Sequence, residues 1–188
     1  MGKIICLYGL AACGKTTQAE KLSKELGFWQ FGMGDRLRAE IQSGSELGQK
    51  VKTYVDQGIL ITDELMAEVI KNVGDKAKAQ GIIFDGFPRM ISQAKMLDQV
   101  MQEMDIELAG FFYLKISTEL AVQRITARAE IENRPDDKDP AVVKNRLDVF
   151  AQESVPLLEY YRQKNKLVEL DGNKSIEEVF AEIKKHLL

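Results

Sequence analysis

The segment Gly9-Leu10-Ala11-Ala12-Cys13-Gly14-Lys15-Thr16 constrains this chain more than any other. It follows the apolar run Ile4-Ile5-Cys6-Leu7-Tyr8 and leads into a helical pattern beginning at Lys15. The spacing G-x-x-x-x-G-K-[ST] between a strand and a helix is that of a P-loop, a cradle for polyphosphate. A triphosphate carries dense negative charge. Successive backbone N–H groups converge on it, and the helix N-terminus adds positive potential. Glycines let the backbone approach without Cβ clashes. Lys15 contributes a full charge, and either Thr16 or Thr17 offers a hydroxyl to Mg²⁺.

The rest of the chain alternates short apolar runs with longer helical patterns. The runs cover residues 4–8, 28–31, 82–84, 111–116 and 167–170. They are continuous rather than alternating, as in strands buried on both faces of a parallel sheet. Helices are expected over 15–26, 35–43, 62–78, 92–103, 118–129, 141–162 and 175–187. Thr62 or Asp63 can cap the third, Pro140 suits the edge of the sixth, and Ser175 with Glu178 fits a capping box. Asp35 reads as the N-cap of a helix starting at Arg36. The alternation predicts an α/β fold with right-handed crossovers. Two segments interrupt it. Residues 32–61 are helical without a strand and are expected to project from the sheet, while 130–139 read as an exposed polar loop. Both positions suit covers over a site at the strand ends.

Composition excludes several classes. The 188 residues, 45% of them hydrophobic, suffice for one folded domain. A net charge of −3 argues against a polybasic surface for nucleic acid or membrane. The N-terminus runs into the glycine loop without a small-residue cleavage site, so a cytoplasmic chain is expected. Two cysteines, Cys6 and Cys13, and one histidine, His186, are too few for a structural zinc site or a disulfide scaffold. His186 reads as a surface helix residue, and Phe111-Phe112-Tyr113 as core strand.

The third run ends in Asp85-Gly86-Phe87-Pro88-Arg89. An Asp at a strand end beside a P-loop can hold Mg²⁺ directly or through water. The Gly-aromatic-Pro-Arg that follows is rarer. Together with Gly9 to Ala19, Gly34-Asp35-Arg36-Leu37-Arg38, Gly58-Ile59-Leu60-Ile61-Thr62-Asp63, Gln93, Arg124, Arg128, Arg134-Pro135-Asp136-Asp137, Arg146-Leu147 and Asp171-Gly172-Asn173-Lys174, it forms an ordered series. In this series the chain resembles the adenylate kinase family over nearly its whole length. Arg38, Arg89, Arg124, Arg128, Arg134 and Arg146, six of its eight arginines, fall in these blocks; Arg36, although it lies inside one of them, and Arg162 read as surface residues. Planar, permanently charged guanidinium groups suit bidentate phosphate recognition.

The resemblance implies a three-layer P-loop fold: a five-stranded parallel sheet, an acceptor-binding arm over 32–61 and a short lid over 129–139. It implies reversible phosphoryl transfer from ATP to AMP, giving two ADP, by a Mg²⁺-dependent monomer. Gly9, Ala12, Cys13, Gly14, Lys15, Thr16, Thr17, Arg124 and Gly172 would border ATP. Met33, Arg38, Ile59, Ile61, Gly86, Arg89, Gln93, Arg134 and Arg146 would border AMP, with Arg38 and Arg89 on its phosphate and Gln93 on its base. Arg124, Arg128, Arg134 and Arg146 would surround the transferring group, with Asp85 ordering the metal's water shell and Asp136 and Asp137 orienting lid arginines. A cis bond before Pro88 also follows.

Three positions depart from the family pattern. Ala12 replaces a loop glycine, Thr16 replaces the glycine after the lysine, and Met33 stands where a threonine contacts the acceptor base. Two rivals are a UMP/CMP-type kinase, against which Gln93 speaks, and a nucleotide-sensing module, against which the full arginine set speaks.

Overall fold

The computed structural model describes residues 3–70, 78–132 and 134–187. Strands β1 (Lys3–Tyr8), β2 (Trp29–Gly32), β3 (Ile82–Asp85), β4 (Glu107–Lys115) and β5 (Leu167–Asp171) form one sheet in the order β2-β3-β1-β4-β5. Every pairing is parallel, as the continuous apolar runs require. Helices α1 (Lys15–Leu26) and α9 (Ile176–Leu187) cover one face through Ala19, Leu22, Val179 and Ile183, which pack on Ile5, Leu7, Ile83, Phe112 and Leu114. The other face presents Ile4, Cys6, Tyr8, Phe84 and Phe111 to α5 (Ile91–Met104) and α8 (Pro140–Gln163). Phe111 stacks on Tyr161 of α8 with centroids 4.0 Å apart. The two-residue periodicity thus sends alternate side chains of β1 into two different cores.

Helices α2 (Met33–Ser43), α3 (Glu46–Gln57) and α4 (Asp63–Ile70) lie between β2 and β3. The first two lie within residues 32–61, the stretch expected to form the arm. Helix α6 (Thr118–Glu132), the turn α7 (Pro135–Lys138) and α8 follow β4. Among the described residues, no helix is long and apolar enough to cross a membrane.

Several local expectations hold. Ser175 and Glu178 exchange backbone N–H bonds of 2.9 and 3.3 Å, completing the capping box. Pro140 opens α8, where Asp139 accepts the Ala141 N–H at 2.8 Å. Thr62 accepts the Leu65 N–H at 3.4 Å. The Phe87–Pro88 bond is cis. His186 is exposed on α9, Arg36 and Arg162 form exposed ion pairs, and Phe111 and Phe112 are fully buried.

Others need correction. Asp35 is not an N-cap: α2 begins at Met33, and Gly32 caps it by backbone alone. Asp35 sits in the first turn, where a carboxylate still favours the helix dipole, and it is engaged by Arg38 three residues on. Residues 130–139 are exposed in part, at residues 130–132, 138 and 139, but they are not one irregular loop. Residues 130–132 continue α6, residues 135–138 form a helical turn, and Asp137 is only 5% exposed. The cause of that burial is charge: Arg128 and Arg146 draw Asp137 inward, while Lys138 beside it stays exposed. β2 runs one residue later than expected, and β4 starts four residues earlier. The expected helix over 62–78 begins as α4, and residues 71–77 lie outside the described residues.

Candidate active site

The loop after β1 closes tightly on itself. The Cys13 N–H bonds the Leu10 carbonyl at 3.2 Å. Gly9 has φ +145°, and a Cβ there would lie 2.5 Å from the Leu114 carbonyl oxygen, so only glycine fits. Ala12 also has positive φ, +61°, and so carries the strain anticipated for its Cβ. The Lys15 ammonium donates to the Gly9 and Leu10 carbonyls at 3.0 and 2.8 Å and lies 3.6 Å from the Cys13 Sγ. The charge is thereby held inside the loop, within a side-chain rotation of any phosphate seated there.

β3 lies beside β1, with Asp85 opposite Leu7. The register sets the Asp85 carboxylate against the first turn of α1, where the Thr16 hydroxyl donates to its Oδ2 at 2.6 Å. Thr17 points outward and is exposed. Of the two threonines left open by the sequence, Thr16 therefore faces Asp85. Their hydroxyl and carboxylate oxygens are hard donors, which fits Mg²⁺. Among the described residues, no group of three or more His, Cys, Asp or Glu side chains is placed to hold a metal ion. The pair would suit an ion whose remaining ligands are phosphate and water oxygens, the usual habit of Mg²⁺ at nucleotides.

One cavity opens beside the loop. Gly9, Lys15, Met33, Arg38, Ile59, Ile61, Gly86, Arg89, Gln93 and Arg146 all line it, although they lie on separate elements of the chain. Arg89 is tied down at both ends: its Nε donates to the Gly86 carbonyl at 2.7 Å, and its backbone N–H to Gln93 Oε1 at 2.8 Å. Burial lowers the Arg89 pKa, with Arg146 adding to that effect and Asp85 and Tyr8 opposing it. The guanidinium stays charged at neutral pH and can meet an anion in the cavity. The Gln93 side chain is fully buried, and its Nε2 has no partner among the described residues. A buried amide donor of this kind is costly until a ligand accepts from it. Met33 is 1% exposed, beside Leu37, Ile61 and Met66, so the part of the cavity beyond Gln93 is apolar.

Arg128 connects to the cavity residue Arg146 through the carboxylate of Asp137. Asp137 accepts from Arg128 Nε and Nη2 at 2.7 and 3.0 Å, and from Arg146 Nη1 at 2.8 Å. Burial pushes the Asp137 pKa up, but the bonds from Arg128 and Arg146 outweigh it and hold the carboxyl below its usual range. Asp136 accepts from Arg146 at 3.1 Å and lies 3.9 Å from Arg38, and Arg134 lies 3.9 Å from Asp35. Helix α2 and residues 134–136 thus meet through opposed charges.

Not every candidate reaches the cavity. Arg124 sits half-buried four residues before Arg128 on α6 and does not line it. Ala12, Cys13, Gly14, Thr16 and Thr17 lie in the loop or in the first turn of α1. Gly172 lies beyond β5, where its N–H bonds the Lys115 carbonyl at 2.9 Å and a Cβ would meet Ile116 at 2.7 Å. Sequence reasoning missed Tyr8, Phe150 and Glu153, which line the cavity. For the last two a signal existed: they follow Arg146 by four and seven residues, on one helical face.

Residues 7–166 match the family described as Adenylate kinase. An adenylate kinase of Caulobacter sp. (strain K31) is 43% identical over 180 residues, covering 95% of each chain. An adenylate kinase of Parabacteroides distasonis is 37% identical over 182 residues, covering 96% of this chain and 95% of its own. An adenylate kinase of Thermus thermophilus is 36% identical over 187 residues, covering all of this chain and 98% of its own.

Proposed function

This chain belongs to the adenylate kinase family, and from that premise we propose that it transfers the terminal phosphoryl group of ATP to AMP, reversibly, by bringing two polyanions together in the arginine-lined cavity. The observation that carries this reading is the convergence of Lys15, Arg38, Arg89 and Arg146 on one cavity bordered by the phosphate loop.

The attacking group is a phosphate oxygen, already anionic at neutral pH, so no general base is needed. What the reaction needs is placement, charge neutralisation and exclusion of water. Lys15 and the loop N–H groups hold the ATP phosphates. Arg89 and Arg38 grip the AMP phosphate, and the Gln93 amide donates to its base. Arg146 and Arg128, steadied by Asp137, meet the charge that spreads over the transferring group, with Arg124 and Arg134 reaching it as the lid over residues 129–139 and the arm over residues 32–61 close. Gly172 borders the ATP base. Mg²⁺, held by Thr16 and Asp85 through its water and phosphate ligands, would neutralise part of the ATP charge. Removing a buried charged contact of this kind costs about 2–5 kcal/mol. A monomer acting in the cytoplasm on free nucleotides completes the proposal.

A coupled assay with ATP and each of AMP, UMP, CMP and GMP tests it. AMP is expected to be the fastest acceptor. A preference for UMP or CMP would transfer the chain to the pyrimidine enzymes, a test sharpened by the buried Met33 in the acceptor cavity. Activity with none of the four would leave a nucleotide-sensing module.

A further inference from the structure

Tyr8 ends β1 immediately before the phosphate loop and points to the acceptor side of the sheet, with Ile4 and Cys6. Its ring is walled by aromatic neighbours. Phe111 and Phe150 lie 5.2 Å away and Tyr113 lies 5.8 Å away, Phe150 being near-parallel at 22°. The residue is 3% exposed, and it lines the cavity shared by Arg89, Gln93 and Glu153.

A phenylalanine would fill the same aromatic niche, so the hydroxyl requires its own account. Among the described residues it makes no hydrogen bond, although a buried phenol ordinarily finds a partner. The strands fix where it opens. Leu7 lies opposite Asp85, and the Gly86 N–H bonds the Leu7 carbonyl at 3.0 Å. The Arg89 guanidinium is anchored on the Gly86 carbonyl, so phenol and guanidinium border the same end of the cavity.

We infer that Tyr8 is a further acceptor-binding residue, its phenolic O–H donating to a phosphate oxygen of the nucleoside monophosphate held by Arg89. The electrostatics agree. Burial raises the Tyr8 pKa, and only part of that is returned by Arg89, so the group remains a donor throughout the neutral range. Glu153 is the competing acceptor. It faces the same cavity from α8, and its charge is felt at the phenol, yet no hydrogen bond joins the two. A phosphate held on Arg89 brings an anionic acceptor to the end of the cavity that the phenol borders, and hydrogen bonds to charged acceptors are about twice as strong as neutral ones.

The inference rests on the proposed AMP-kinase reading, and its test separates the two. Tyr8→Phe keeps the ring and its packing while deleting the hydroxyl. The expected result is a rise of about tenfold in the KM for AMP, with the KM for ATP and the melting temperature close to the parent's. Equilibrium titration with AMP alone should show the same loss of affinity. An AMP KM within about twofold of the parent's overturns the inference while leaving the kinase reading intact. If the parent itself does not phosphorylate AMP, the kinase reading fails instead. An equal loss in Glu153→Gln that does not add to the loss in Tyr8→Phe would assign the hydroxyl to Glu153, and so also overturn it.

Discussion

Replacing Asp137 with asparagine removes one charge without opening a cavity. The Asp137 side chain is fully buried and accepts three hydrogen bonds, from Arg128 at 2.7 and 3.0 Å and from Arg146 at 2.8 Å. An amide in that place turns N–H toward N–H and leaves two guanidinium groups facing each other. Removing one member of a buried ion pair costs about 3–5 kcal/mol. The arginine side chains retain 19% and 25% exposure, so water offsets part of this, and a loss of about 3 kcal/mol is expected. In a chain of this size each kcal/mol moves the melting temperature by about 2–4 °C, so Asp137→Asn should melt about 6–12 °C below the parent at pH 7. Because Arg146 also lines the cavity, turnover should fall by about tenfold or more. The pH dependence fixes the cause. The folded-state pKa of Asp137 is depressed, so its contribution is complete above the unfolded value of about 4 and is lost as pH falls through the folded value. The gap between parent and variant should therefore be full at pH 7 and narrow only below about pH 4. Calorimetry across that range, with a coupled kinase assay at pH 7, measures both. A variant melting within about 2 °C of the parent at neutral pH and turning over normally would refute the idea that this carboxylate organises the arginines.

Ala12→Gly should raise the melting temperature by up to about 6 °C. It relieves roughly 1–2 kcal/mol of left-handed strain and returns roughly 0.4–1 kcal/mol to the unfolded chain, and a lower melting temperature would contradict this account of the loop. Thr16→Val should raise the Mg²⁺ concentration for half-maximal rate by about tenfold, more than Thr17→Val does, since only Thr16 faces Asp85. The reverse ranking in a Mg²⁺ titration would reassign the metal-side hydroxyl. Lys15→Ala should cut turnover at least about a hundredfold in the coupled assay, and near-parent turnover would remove the ammonium from the phosphate site.

What can be read from the sequence follows the range of the forces involved. The five strands and the phosphate loop are legible because burial on both faces leaves uninterrupted apolar runs, and because glycine spacing is a backbone requirement. The burial of Asp137 within the polar stretch 130–139 is not visible locally, because its partners Arg128 and Arg146 lie nine residues away on either side. Asp35 has the composition of a cap, but Gly32 supplies the turn by backbone alone, which leaves no side-chain trace. Tyr8 cannot be distinguished from core in the sequence, since its role depends on which face of β1 meets the cavity and on how β3 sets Arg89 beside it. The residues on the cavity beside the glycine loop are legible in kind, through the family blocks. Their convergence comes from the sheet order, which places β3 and β4 on either side of β1.

The central claim is that guanidinium groups from distant parts of the chain act on one phosphate. The kcat/KM for AMP of Arg89→Ala, measured beside its melting curve, tests this most directly. The account predicts a fall of at least about a hundredfold in a protein that still folds cooperatively. A folded variant with a kcat/KM near that of the parent would contradict it.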